Sequence, residues 1–182
     1  MRNTLIALSI AGAAFATAAQ AEMAAPPAPA PAPAPATVPD QMPFDVPYGA
    51  PIDLAKAQKV IAAAIAEASK SPRNWKLAVA VVDTNGDLVA LQKMDQTQVA
   101  SIGIAIGKAR TSARFRRASE VFAAGMANPG GAALATLDPT LVASIGGYPL
   151  VEGGKIIGAI GCSGATGPQD GVACKAAAET IK

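Results

Sequence analysis

The sequence predicts an α+β layer fold, in which an antiparallel sheet is flanked by helices. Two pairs of apolar, β-favouring segments are each joined by a short turn, one at Asn85-Gly86 and one at residues 152–155. Tight turns join antiparallel strands, whereas parallel strands need a crossover of a dozen or more residues. Segments with helical spacing of apolar residues precede, separate and follow these hairpins. An antiparallel sheet with helices packed on it accounts for both patterns.

The first predicted elements are a helix and a hairpin. Asp53 is a favourable N-cap for a helix that runs to about Ser69, and Pro72 stops that helix. Residues 77–82 are apolar throughout and predict a strand buried on both faces or nearly so. The chain returns as a second strand over residues 88–93. The apolar stripe of the helix consists of Leu54, Ala57, Ile61, Ala64, Ile65 and Ala68.

Helices are predicted for the middle of the chain. A second long helix covers residues 99–117, and its Gly103 and Gly107 are four residues apart, so they let a neighbour pack closely on one side. Ser119 then caps a short third helix. Residues 128–145 begin with a Pro-Gly-Gly break and predict no definite element.

The second hairpin leads into a last helix. Its final strand, residues 156–162, holds Gly158 and Gly161, which weaken a strand and often mark the close approach of another group. A loop of small residues, 163–167, follows the strand and opens a helix that starts near Gln169. The order is therefore helix, hairpin, helices, hairpin, helix.

Composition excludes several classes of function. The chain has 182 residues and no histidine. This absence excludes hydrolase triads that use histidine, most zinc sites and His-ligated haem. The formal net charge is +2, and nothing in the charge pattern indicates nucleic-acid binding. Aromatic residues make up only 4% of the chain, so the core is expected to consist of closely packed Ala, Val, Ile and Leu.

The first residues have the composition of an export signal followed by a spacer. Arg2 precedes an apolar run over residues 5–19, and an A-x-A cleavage motif follows at 19–21. Export to the periplasm or the cell exterior is therefore expected. The predicted divisions are a signal peptide at 1–21, a Pro/Ala-rich linker at 22–45 and a folded domain at 46–182.

Two cysteines, Cys162 and Cys174, leave two interpretations open. An exported chain can form a disulfide between them. Alternatively, both are small buried residues. A Cys162 thiolate would be a ligand for haem iron only if it is not oxidised.

The end of the second predicted helix is strongly basic. Arg110, Arg114 and Arg117 lie at positions i, i+4 and i+7, so they share a stripe whose guanidinium groups suit carboxylates or phosphates. The alternative is that these cations interact favourably with the helix dipole and stay solvated. Lys108 and Arg116 complete the basic segment.

The small-residue loop before the last helix is a second candidate site. Backbone N–H groups at such a loop and at the start of a helix can meet an anion. Ser163 and Gly164 in the loop and Asp170 in the first helical turn are the residues involved. Possible metal-ligating side chains near loops and strand ends are Met94, Met126 and Tyr148, for which packing is the more ordinary role.

Two blocks of sequence resemble the GlcG/HbpS family of small haem-binding or haem-degrading proteins, also described as DUF336-type. The blocks are residues 100–115 and residues 146–164, the second continuing to Gln169-Asp170. With the first hairpin, the resemblance covers about Ile52 to Lys182. It implies a five-stranded antiparallel sheet like those of profilin or PAS-type sensor domains. It also implies homo-oligomers, often octamers, and haem binding by some secreted members.

The resemblance also implies candidate site residues. A Thr on the second helix is a proposed iron contact in such members, and Thr111 is its counterpart here. Related domains use a His ligand, which this chain lacks, so a His-ligated site does not carry over. The cofactor-binding candidates are Thr111, Lys108, Arg110, Arg114 and Tyr148.

The leading hypothesis is an exported haem-binding module that senses, scavenges or buffers haem, rather than an enzyme. The haem propionates would pair with Lys108, Arg110 or Arg114, with weak oxygen or sulfur ligation of the iron. The alternatives are a binding module for another small organic anion, a weak haem-degrading enzyme, or a purely structural assembly. The expected partners are the small-molecule ligand, further copies of the chain and a membrane sensor protein.

Overall fold

The computed structural model describes residues 45–181. The predicted signal peptide and all of the predicted linker except Asp45 lie outside the described residues. The elements are α1 (Leu54–Ser69), β1 (Ala78–Val82), β2 (Leu88–Lys93), α2 (Ser101–Phe115), α3 (Glu120–Met126), a 3-10 turn (Gly131–Thr136), β3 (Gly147–Glu152), β4 (Lys155–Ser163) and α4 (Gly167–Ala178). None of the described helices combines the length and apolar composition that a membrane span needs.

The sheet confirms the predicted α+β class. Its strands follow the order β2-β1-β4-β3, and each neighbouring pair is antiparallel. The expectation of five strands was wrong, because the sheet in the described residues has four. Among the described residues before α1, an isolated bridge joins Tyr48 to Ile156. Pro47 and Pro51 flank this bridge and have no N–H with which to extend it into a strand.

One face of the sheet packs against α1 and α4. Val79 and Val81 of β1 point to this face beside Ile160 and Cys162 of β4, and all four are buried. The predicted stripe of α1 packs here, although Leu54 at its start is 53% exposed. Cys162 forms a disulfide with Cys174 of α4, with the two Cα atoms 5.7 Å apart. The disulfide interpretation is therefore the correct one.

The opposite face is built from small residues and carries α2. Ala78 and Ala80 of β1 pack against Ala105 of the helix. Gly147 of β3 is paired with Gly161 of β4, and both lie directly beneath α2. A Cβ atom at Gly161 would lie 2.1 Å from the Ala105 carbonyl oxygen, far inside van der Waals contact. The scarcity of large side chains in the sequence thus reflects a helix that rests on the sheet backbone.

The helix ends follow local capping. Asp53 caps α1 by accepting a hydrogen bond from the Lys56 N–H at 2.7 Å, as predicted. Helix α4 begins two residues before the predicted Gln169, because Thr166 and Gln169 form a reciprocal capping box. Helix α2 is shorter than predicted at both ends. It ends at Phe115 because Arg116 adopts a left-handed conformation with φ 54°.

Candidate functional site

Lys108 of α2 forms a buried ion pair with Asp170 of α4. The Lys108 Nζ atom lies 2.8 Å from Asp170 Oδ2 and donates a second hydrogen bond, of 3.0 Å, to the Cys162 carbonyl oxygen. Lys108 is 1% exposed and Asp170 is 2% exposed. Burial raises the pKa of the Asp170 carboxyl, and the hydrogen bond from Lys108 opposes that shift. The pair joins two helices that pack on opposite faces of the sheet.

Gly146 provides the space through which Lys108 reaches Asp170. Its φ angle is +123°, in a region that favours glycine. A Cβ atom there would lie 2.9 Å from the Asp170 Cβ atom and 3.1 Å from Lys108 Nζ. Gly146 therefore leaves room for the contact between Lys108 and Asp170, and we call this space the Gly146 passage. Gly147 leaves room for α2 to pack on the sheet.

The predicted anion-binding loop is occupied by the protein's own carboxylate. The Ala165 N–H donates to Asp170 Oδ1 at 3.0 Å, and the Gly164 N–H also hydrogen bonds to Asp170. Ser163 is 3% exposed, with its Oγ atom 3.4 Å from Ser101 Oγ. Another anion would have to displace a carboxylate that Lys108 holds.

Arg110 and Arg114 are anchored by the turn between β1 and β2. The Nε atom of Arg110 donates to the Gly86 carbonyl oxygen at 2.9 Å, and that of Arg114 donates to the Asn85 carbonyl oxygen at 3.2 Å. Gly86 has φ +92°, and a Cβ atom there would lie 3.0 Å from Arg114 Nε. A larger residue at this position would therefore have a strained backbone and would crowd the Arg114 side chain. The hairpin thus fixes two guanidinium groups one helical turn apart.

The predicted arginine stripe ends at Arg114. Because α2 stops at Phe115, Arg117 lies beyond the helix, so the expectation that it shares the stripe was wrong. Its Cζ atom lies 5.7 Å from the Phe122 ring centroid, and that of Arg116 lies 5.7 Å from the Tyr48 ring centroid. Both cations therefore have an aromatic neighbour.

The outward side of α2 begins as an open apolar surface. A Cβ atom at Gly103 would meet no other atom within 4 Å. Ile102 beside it is 36% exposed, and Val99 before the helix is 91% exposed. Apolar side chains and a bare helix backbone at the surface suit the face of a planar hydrophobic molecule.

Farther along the same side, a segment of chain covers α2. We call residues 138–142 the strap. Val142 fits against Gly107, where a Cβ atom would lie 2.3 Å from Val142 Cγ2. The Val142 N–H donates to Thr111 Oγ1 at 2.9 Å, and Thr111 is 2% exposed. Asp138 of the strap pairs with Arg114 at 2.9 Å. Thr111 therefore lies beneath the strap.

Tyr148 lies on the other face of the sheet, away from these residues. It packs against the core beside α1 and α4, with its hydroxyl 3.5 Å from Glu120 Oε2. Burial and the Glu120 carboxylate raise the pKa of Tyr148 to about 12. A high pKa disfavours the phenolate, which is the form that binds iron.

The structure thus distributes the predicted site residues over three places. Thr111, Arg110 and Arg114 share the outward side of α2. A second group surrounds the Gly146 passage. Tyr148 lies apart from both groups. In the described part of the chain, no cluster of three or more His, Cys, Asp or Glu side chains is suited to hold a metal ion. The second group consists of Lys108, Ser163 and Asp170, which are buried, and Gly164, which is partly exposed.

A groove of about 640 Å³ lies beside the exposed side of α1 and is lined by Lys59, Lys56 and Glu152 among others. The charges of Lys56 and Glu152 are already paired there, at 2.6 Å. Nothing in this groove matches a predicted site residue.

Sequence reasoning missed the strap. The available signal was the run Asp138-Pro139-Thr140, which is typical of a turn stabilised by its own side chain. In the structure, Asp138 Oδ1 accepts hydrogen bonds from both the N–H and the hydroxyl of Thr140, each at 2.7 Å. The anchoring of arginines by the Asn85-Gly86 turn carried no local signal, because it joins segments 24 and 29 residues apart.

Comparison with known proteins identifies relatives over nearly the whole described domain. The family model described as "Haem degrading protein HbpS-like" matches residues 52–179. Protein GlcG of Escherichia coli K12 is 42% identical over 107 residues, which make up 59% of this chain and 77% of GlcG.

Solved structures agree with this comparison. A double mutant of HbpS from Streptomyces reticuli matches with a TM-score of 0.67 and 26% identity, over 82% of this chain and 99% of that one. A structure titled as a complex of PduOC with haem matches with a TM-score of 0.66 and 24% identity, over 72% of this chain and 96% of that one. At that identity the second likeness shows a shared fold.

Proposed function

The chain belongs to the HbpS-like family, and from that premise we propose that it is an exported haem-binding module. The proposed site is the outward side of α2. The porphyrin ring would lie on the open surface at Gly103 and Ile102, and its propionates would reach Arg110 and Arg114. Sensing, scavenging or buffering of haem are the roles that such a module serves.

The anchored guanidinium groups are the observation that supports this proposal. Arg110 and Arg114 both use their Nε atoms to bind turn carbonyls, which fixes the planes of their terminal nitrogens. Within the described residues, the terminal nitrogens of Arg110 have no hydrogen-bond partner. Cations that are already positioned lose less conformational entropy when they bind a carboxylate. An open apolar surface lies nearer the start of the same helix, at Gly103.

The residues present fit the propionates and the ring better than they fit the iron. The Cys162 sulfur is in a disulfide, and the raised pKa of Tyr148 disfavours a phenolate. The Met94 sulfur accepts the Leu77 N–H at 3.4 Å. Thr111 is the remaining weak oxygen donor on this side of α2, and the strap covers it. When bound, haem would supply the iron and the visible absorbance, while the chain would hold the carboxylates and shield one ring face.

Export of the protein is part of the proposal. The predicted signal peptide is its main support, and the Cys162–Cys174 disulfide agrees with it because such bonds persist in oxidising compartments. We also expect homo-oligomers, with an octamer as the size that the resemblance implies, and a membrane sensor as partner. Exposed apolar side chains such as Val99 and Leu88 suit a contact surface.

A haemin titration of the exported protein tests the proposal. We expect a saturable Soret shift at micromolar haemin, and we expect Arg110→Ala and Arg114→Ala each to weaken binding. Arg73→Ala removes an exposed arginine near the end of α1 and serves as the charge control. Equal affinity in all three variants would contradict the propionate assignment, and a drift that never saturates in the wild type would contradict haem binding.

A small organic carboxylate is the second candidate ligand. Its support is that Arg114 already binds a carboxylate, that of Asp138. Thermal-shift measurements with a panel of mono- and dicarboxylates would distinguish the two: stabilisation by these anions but not by haemin would favour this alternative. Haem breakdown is checked in the same preparation, because it predicts loss of the Soret band and release of iron on adding ascorbate.

A further inference from the structure

We propose that the strap, residues 138–142, is an autoinhibitory cover, and that a haem propionate replaces the Asp138 carboxylate on Arg114 as the strap lifts from α2. This inference rests on the proposed function. It adds that the described structure is the closed state, and that occupancy of the site depends on an internal competitor.

The strap uses the groups that a ligand would need. Thr111 Oγ1 donates to the Gly107 carbonyl oxygen at 2.9 Å and accepts the Val142 N–H at 2.9 Å. A hydroxyl has one proton to donate, so the Thr111 proton is already used within the helix. The oxygen has no open approach while Val142 sits against Gly107. Contact between Thr111 and a ligand therefore requires Val142 to leave.

The Asp138 carboxylate and a haem propionate would compete for Arg114. Its Nη1 atom donates to Asp138 Oδ2 at 2.9 Å and to Thr140 Oγ1 at 3.1 Å. The arginine side chain is 38% exposed and that of Asp138 is 15% exposed, so solvent reaches the pair. Hydrogen bonds from Thr140, and then Arg114, lower the pKa of Asp138, which keeps its carboxylate charged. Solvated ion pairs are weak, so another carboxylate can exchange with Asp138.

The strap is built to move more readily than the elements around it. No residue from 127 to 145 is fully buried. Gly130, with φ +80°, precedes the strap, and Gly146 follows it. The Ser119 hydroxyl donates to the Ser144 carbonyl oxygen at 2.5 Å and holds the end nearest β3. Segments with few buried contacts open at low free-energy cost, so opening of residues 138–142 need not disturb the sheet.

A disulfide staple tests the strap directly. A Cβ atom at position 107 would lie 3.4 Å from the Val142 Cβ atom, close to the ~3.5–4.5 Å spacing that disulfides prefer. In Gly107→Cys/Val142→Cys we expect the oxidised form to bind haemin at least about tenfold more weakly than the reduced form of the same protein. The reason is that a strap locked onto α2 leaves only a small fraction of the protein able to bind. Wild type treated with the same reductant is the control, because its native cysteines are fully buried.

A second variant keeps the test valid if the stapled protein does not fold. Asp138→Asn should raise haemin affinity by roughly two- to fivefold, the range expected on losing a solvated ion pair. It should also speed hydrogen exchange of the Val142 amide without ligand. Glu179→Gln removes the same charge at the end of α4 on the other face of the sheet, and should change neither quantity.

The outcomes separate the two proposals. Haemin binding by wild type that is unchanged in both the staple and Asp138→Asn would overturn the strap inference and leave the haem-binding module intact. Failure of wild type to bind haemin would overturn the module and the strap's role with it. Weaker binding by the oxidised staple and tighter binding by Asp138→Asn would support both.

Discussion

Helix α2 carries two cation–carboxylate pairs of nearly equal length in opposite surroundings. Lys108 Nζ lies 2.8 Å from Asp170, with side-chain exposures of 2% and 3%, while Arg114 Nη1 lies 2.9 Å from Asp138, with exposures of 38% and 15%. The first pair is shielded from water and has no exchange partner, whereas the second is in contact with solvent. Distance therefore does not separate a structural pair from an exchangeable one, and burial does.

The largest expected effect comes from breaking the buried pair. Asp170→Asn leaves the Lys108 charge without a partner in the interior and should lower the free energy of unfolding by about 3–5 kcal/mol. Urea denaturation measures this loss. The double variant Lys108→Met/Asp170→Asn removes both charges and should be more stable than the single one. A single variant as stable as wild type would contradict our assignment of this pair as a structural contact.

A second test compares the two sides of α2 through their glycines. Gly161→Ala forces a methyl group against the Ala105 carbonyl oxygen and should destabilise the protein by about 1–3 kcal/mol or more. Gly103→Ala meets open space and should stabilise it by up to about 1 kcal/mol, because alanine favours the helix. Both are measured by thermal unfolding. Similar effects of the same sign would show that α2 does not rest on the sheet backbone.

The exposed pair should contribute little to stability. Asp138→Asn is expected to change the free energy of unfolding by no more than about 1 kcal/mol, since solvent screens the ion pair. The same denaturation experiment as for Asp170→Asn measures it, so the two substitutions form a matched comparison. A loss as large as that of Asp170→Asn would mean that the strap is part of the cooperative core.

The smallest effect concerns Tyr148 at high pH. Its folded-state pKa of about 12 lies above its ordinary value of 10.0, so the folded protein retains the phenol proton longer than the unfolded chain. The stabilisation is complete below about pH 10 and is lost as the pH rises toward 12. Wild type should therefore lose stability more steeply than Tyr148→Phe between these values. Parallel curves, or early phenolate absorbance from Tyr148, would contradict the assignment.

Much of the fold could be predicted because its signals are local. The Asn85-Gly86 turn predicted the first hairpin, and strand β2 begins and ends where the sequence analysis placed it. The fifth strand was predicted only by resemblance. In the described residues its place is taken by the isolated bridge at Tyr48, which Pro47 and Pro51 flank. Thr166 and Gln169 have the spacing of a capping box, a local signal that would have placed the start of α4 correctly.

The site was less predictable because its partners are distant in sequence. Lys108 and Asp170 were both singled out, yet as ligands of different molecules, since a separation of 62 residues gives no sign that they meet. Burial, which distinguishes Lys108 from Arg114, depends on Gly146 and on the close packing of α2. Both are properties of the assembled layers rather than of any one segment.

The Cys162–Cys174 disulfide has a consequence for how the chain finds its native state. It links residues 12 apart, and closing such a loop removes about 3 kcal/mol of chain entropy from the unfolded ensemble. Asp170 lies within that loop, so the disulfide keeps it close to Cys162 even in the unfolded oxidised chain. When the oxidised chain refolds, Lys108 therefore has to meet one linked segment that carries both Cys162 and Asp170. In the reduced chain, no disulfide holds Cys162 and Asp170 near each other before Lys108 arrives.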